Sequence, residues 1–88
     1  MQPKGKKVRL STLPLAPLRL EIDRVGRGLS ALVSGVSAIS EFSHTRAVLE
    51  SGAYRVEISG KQLSVGVYEG NSVEIIGGIE NVAFTLAD

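Results

Sequence analysis

Apolar residues recur at every second position over most of this chain, and the alternation restarts at glycines. Side chains on a strand point alternately to its two faces, so such runs predict strands with one apolar face. Leu18, Leu20 and Ile22 alternate with Arg19, Glu21 and Asp23, and a glycine-rich turn closes the run at residues 24–28. Leu29, Ala31 and Val33 make a second strand, ending in a turn at Ser34-Gly35, and residues 45–50 make a third, broken by Gly52. Tyr54, Val56 and Ile58 lead to a predicted hairpin turn at Gly60-Lys61, followed by Leu63, Val65 and Val67. After Gly70-Asn71 the pattern repeats, with Val73 and Ile75, a predicted turn at Gly77-Gly78, then Val82, Phe84 and Leu86. Arg55, Glu57, Ser64 and Glu74 fall on the opposite face.

One stretch departs from the alternation. Val36, Ile39 and Phe42 are spaced by three, as on one face of a short helix or a curved crossing, and predict a compact connection that delivers Phe42 to the core. The rest of the expected core is Val56, Ile58, Leu63, Val65, Val73, Ile75, Ile79, Val82 and Phe84, with structural turns at Gly35, Gly52, Gly60, Gly70, Gly77 and Gly78. Val56-Glu-Ile-Ser-Gly aligns with Val73-Glu-Ile-Ile-Gly as a short internal repeat. The fold class is therefore all-β: a small antiparallel meander or roll of about six to seven short strands. A short β-solenoid is the alternative, but solenoids need about three coils and two are visible.

Composition adds an asymmetry. Residues 1–27 hold seven basic residues against two acids, a balance of +5, and residues 28–88 hold three against seven, a balance of −4. The division expected is a flexible basic N-terminal arm over residues 1–12 and a single β domain over residues 13–88. Lys4, Lys6, Lys7 and Arg9 make that arm a candidate contact for an anionic partner or for the acidic face of a second copy. Residues 10–20 alternate leucine with proline, as an extended segment laid across the sheet would, with Leu13, Leu15 and Leu18 as anchors. With 88 residues, no cysteine and one histidine, the chain has neither disulfides nor a histidine–cysteine metal site to supplement its small core. That leaves oligomerisation or a partner. The longest uncharged apolar stretch, residues 29–40, is shorter than the roughly 20 residues of a membrane-spanning helix, and the proline-broken start does not suit a signal peptide.

The search for chemistry returns little. Arg24-Val-Gly-Arg-Gly lacks the lysine–hydroxyl pair of a phosphate loop and reads as a turn. His44 has only Glu41 near it in sequence, and Ser43 lacks a nucleophile elbow. Glu57 and Glu74, matched in the repeat, read as outward charges that blunt sheet edges rather than as a calcium site. Tyr54 and Tyr68 could stack nucleic-acid bases, but they belong to the acidic half, which repels phosphate. The expectation is a protein that is not an enzyme and needs no cofactor.

Four runs carry a family resemblance: Ser34-Gly-Val-Ser-Ala-Ile-Ser-Glu-Phe, Ala47-Val-Leu-Glu-Ser, Val56-Glu-Ile-Ser-Gly-Lys-Gln-Leu-Ser-Val and Val73-Glu-Ile-Ile-Gly-Gly-Ile-Glu-Asn-Val-Ala-Phe. Together they resemble the YabP/YqfC family of sporulation proteins, with Gly60, Leu63, Gly77, Ile79, Val82 and Phe84 at the family's glycine and aliphatic positions over residues 30–85. The resemblance implies expression in the mother cell of a sporulating bacterium, in the cytoplasm or at the forespore surface or spore coat. It carries no catalytic residues. The function expected is a structural scaffold, with spore coat assembly as its candidate process, acting through self-association or docking on another sporulation protein, a membrane-associated one among the candidates. The alternative is a nucleic-acid or anionic membrane-surface binder that uses the basic arm.

Overall fold

The computed structural model describes residues 8–9 and 18–86. They form β1 (Val8–Arg9), β2 (Arg19–Val25), β3 (Gly28–Ser34), β4 (Ala38–Phe42), β5 (Arg46–Ser51), β6 (Tyr54–Glu69) and β7 (Ser72–Leu86). All seven strands belong to one sheet in the order β1-β4-β5-β6-β7-β3-β2, and every pairing is antiparallel. β4 to β7 form a meander, and the β2–β3 hairpin adds to the far side of β7. The antiparallel ladders exclude the solenoid, whose coils stack strands in parallel.

The glycines expected to make hairpin turns at residues 60–61 and 77–78 do something else. β6 and β7 run straight through them as strands of 16 and 15 residues, and the two glycine sites face each other across the ladder, Gly60 opposite Ile79 and Lys61 opposite Gly78. Register shifts cluster there, between Ser59 and Gly60 and between Lys61 and Ser64, and Gln62 has φ of 53°. The two supposed hairpins are thus one long hairpin bent at its middle, with its tip at Gly70-Asn71. A Cβ on Gly60 would lie 2.1 Å from the Gly78 carbonyl oxygen, so the strands cross closely only because no side chain stands there. Gly35, Gly52 and Gly70 do lie in connections, each with positive φ.

The bend divides the sheet. β1, β4, β5 and the first part of β6 lie with the last part of β7 in one half, and the rest of β6 and β7 lies with β3 and β2 in the other. Ile39, Ala47, Leu49, Val56 and Ile58 from the first half meet Ala31, Val33, Leu63, Val73 and Ile75 from the second in one buried cluster. The sheet therefore covers itself by folding over, as two packed layers do. The hairpin tip fastens the fold. Asn71 accepts a hydrogen bond from the Val36 amide at 2.8 Å through its carbonyl and donates its side-chain amide to the Val36 carbonyl at 2.9 Å. Ser51 Oγ donates to the Gly35 carbonyl from the opposite layer.

Of the expected core, Val56, Ile58, Leu63, Val73 and Ile75 are fully buried, whereas Val65, Ile79 and Val82 are partly buried against the cluster. Phe42 and Phe84 are not core residues: they are 38% and 46% exposed. Both point to the core side of their strands, opposite Ala47 and Val56, but lie where the other layer gives them little cover. Residues 36–42 form no helix. Val36 lies in the connection and residues 38–42 are β4, whose pairing with β5 is interrupted by a bulge between Ile39 and Glu41. Val8–Arg9, within the residues 1–12 expected as a flexible arm, pairs as a strand with Ile39 and Ala38. Lys4, Lys6, Lys7, Leu13 and Leu15 lie outside the described residues; Leu18 is half-buried and packs on the core.

Candidate interaction surface

Because the layers overlap only partly, the sheet has long edges that no other described strand pairs with. β3 pairs with β7 over residues 72–77 and no further. From Gly78 to the end of β7 at Leu86, no described strand pairs with the side of β7 away from β6. An unpaired edge presents a row of amide donors and carbonyl acceptors, and such edges are usually blunted by charge, proline or a bulge. The other long edge, β2, is blunted: Arg19, Glu21, Asp23 and Arg24 supply four charges in seven residues. Residues 78–86 of β7 contain one charge, Glu80, and no proline or lysine. Their one departure from regular pairing with β6 is the extra residue Glu80 between Ile79 and Asn81, so residues 81–86 are left without a blunting device. Glu80 is exposed and lies 4.0 Å from the Lys61 ammonium.

An apolar strip adjoins this free edge. Directly opposed residues on paired strands share a face, so Tyr54 with Leu86, and Val56 with Phe84, continue the core face outward. Val56 is buried, but Tyr54 and Phe84 are each 46% exposed and Leu86 is 70% exposed. Two half-exposed aromatics and one mostly exposed leucine present roughly 300 Å², the size of the largest apolar patch on an ordinary monomer, which is often functional. Ile22, on the outermost strand of the other layer, is also half-exposed.

The outward face is polar and internally paired. Glu41 and Glu57 flank Val48 in the ladder, and Arg46 reaches both at 3.3 Å. Ser30 donates to the Glu74 carboxylate across the β3–β7 pair, and Ser40 donates to Glu50. Glu57 and Glu74 thus do not guard edges: they sit on inner strands with partners of their own.

The residues considered for chemistry stay apart. His44 Nδ1 lies 3.3 Å from the Leu63 carbonyl oxygen, and Ser43 Oγ accepts from the amides of Thr45 and Arg46 as part of the β4–β5 turn. An open depression of about 550 Å³ is lined by His44, Gln62, Leu63 and Ser64, and a second of about 260 Å³ by residues beside the bend, among them Arg27 and Gln62. Among the described residues no three His, Cys, Asp or Glu side chains group to hold a metal ion, and no helix is long and apolar enough to cross a membrane. Sequence reasoning missed the free edge because alternation assigns a residue to a face and is silent on which neighbours cover it.

No family model, curated protein or solved structure matches this chain.

Proposed function

We propose that this protein is a non-enzymatic structural module that acts by association through the free end of its sheet. The observation that carries this reading is the edge of β7 over residues 78–86, unpaired among the described residues, beside exposed Tyr54, Phe84 and Leu86. Edge backbone groups give affinity to an added strand and the neighbouring side chains give it specificity, which is β-strand addition. The resemblance of residues 30–85 to sporulation proteins supplies the setting: the mother cell of a spore-former, with coat assembly as the process served.

A pull-down from sporulating cells tests the reading, with the full chain as bait and a chain lacking residues 1–7, which keeps β1, beside it. Capture of the same specific partner by both baits, persisting at roughly 0.5 M salt, is the expected result, because apolar and ladder contacts are weakly screened. Capture that collapses with salt and with loss of residues 1–7 overturns it in favour of a basic-arm binder of nucleic acid or anionic membrane.

A further inference from the structure

Resting on that reading, the geometry points to a specific partner for the edge: a second copy of this chain. We propose that residues 81–85 of β7, which follow the bulge at Glu80, pair antiparallel with the same residues of another copy about a two-fold axis at Ala83, merging the two sheets into one. A free ladder edge demands an extended strand, and a copy brings one of matched length. A two-fold axis normal to the sheet makes the edges antiparallel and keeps the apolar faces on the same side. Ala83 then opposes Ala83, Val82 opposes Phe84, and each copy's strip of Tyr54, Phe84 and Leu86 continues into the other's.

Charge agrees with this pairing. Like charges directly opposed across a ladder are destabilising. In the register centred on Ala83, the only charge of the edge, the bulged Glu80, falls beyond the paired residues 81–85, near Leu86 of the other copy. The two Glu80 side chains stand about six residues apart along the ladder, roughly 20 Å, beyond the screening length of about 8 Å at physiological salt. The β2 edge suits self-pairing less well: centred on Ile22, it sets Glu21 opposite Asp23. The β7 contact is smaller than the roughly 800 Å² per partner of a standard interface, so a dissociation constant in the micromolar range is expected.

The absence of native cysteine makes the test direct. Opposed residues on antiparallel strands have Cα atoms about 4.5–5.5 Å apart, inside the range a disulfide spans. In the full-length chain, Ala83→Cys should cross-link to a dimer under mild oxidation, and Asp23→Cys on the β2 edge should not. By light scattering the unmodified chain should be dimeric at about 100 µM and should dissociate on dilution through the micromolar range. Phe84→Lys combined with Leu86→Lys should make it monomeric with an unchanged circular dichroism spectrum, whereas Ile22→Lys should leave the dimer intact. A monomer across this range overturns the proposal, as does more efficient cross-linking of the Asp23→Cys variant than of the Ala83→Cys variant. If the lysine variant fails to fold, the two cysteine variants still decide. A monomeric chain that retains its partner in the pull-down would refute the homodimer and leave the module reading standing.

Discussion

The β6–β7 hairpin contains two regions built on opposite terms. At its bend, the backbones of Gly60 and Gly78 come so close that no Cβ fits on Gly60, since one would stand 2.1 Å from the Gly78 carbonyl oxygen. At its free end, Phe84 and Leu86 stand beside a ladder edge with no described strand against it. The bend holds the fold and leaves no room for a side chain at Gly60; the free end has space and little part in the fold. Substitutions should therefore lower stability steeply at the bend and hardly at all at the free end, where association should respond instead.

Gly60→Ala should have the largest effect. The clash sets a Cβ, fixed by its own backbone, against a backbone carbonyl, which no rotamer change relieves, so the ladder must open; a loss of about 4 kcal/mol, among the larger single-site effects, is expected in urea denaturation. Gly26→Ala is the control. Gly26 has φ of 57° with nothing within 4 Å of an added Cβ, and so loses only the left-handed penalty of about 1 kcal/mol. Equal losses at the two sites would show that close approach is not what the bend requires.

Leu49→Ala comes next. Leu49 is fully buried on β5 between the layers, and truncation of such a side chain costs about 3 kcal/mol through lost burial and the cavity left behind. Asn71→Ala should cost less, about 1.5 kcal/mol, by removing one donor from the partly buried Val36 carbonyl at the hairpin tip. Amide hydrogen exchange should speed up locally at Val36, whose amide bonds Asn71, ahead of the core. Uniform acceleration would mean that the tip is not a separate fastening.

These sites differ in how well the sequence announces them. Period-two alternation gives β2, β3 and β5 directly, and the positive-φ glycines of the connections at 26, 35, 52 and 70 are legible as chain reversals. Gly60 and Gly77 look the same on paper. The apolar phase shifts across the first, from Val56 and Ile58 to Leu63 and Val65, and a hairpin turn resets the phase in the same way as a bulged bend. The pairing of Gly60 and Lys61 with Ile79 and Gly78 is a long-range fact that neither local window contains. A bulge also explains the spacing of Ile39 and Phe42: the extra residue between Ile39 and Glu41 turns a period of two into an apparent three, while Val36 lies before the strand, in the connection. The free edge was illegible for a related reason. Phe84 alternates in phase with Val82 on the core side, so its position on the core face is readable, but how far the second layer extends over it depends on where β3 stops pairing.

Phe84→Lys should have the smallest effect on the fold and the clearest effect on association. At 46% exposure the ring gives up a partial burial, and the lysine stem restores part of it while its charge reaches water, so about 0.5 kcal/mol is at stake in the monomer. The charge blunts the edge in the way β2 is already blunted. Measured at about 1 µM, the two proteins should therefore unfold within a degree or two of each other. At roughly 100 µM the unmodified chain should gain thermal stability by mass action, because only the folded state pairs, and the variant should not. A melting temperature independent of concentration in the unmodified chain would contradict the proposed dimer. An unmodified chain that outlasts the variant equally at both concentrations would instead place Phe84 among the residues that hold the fold, and the contrast between the bend and the free end would be lost.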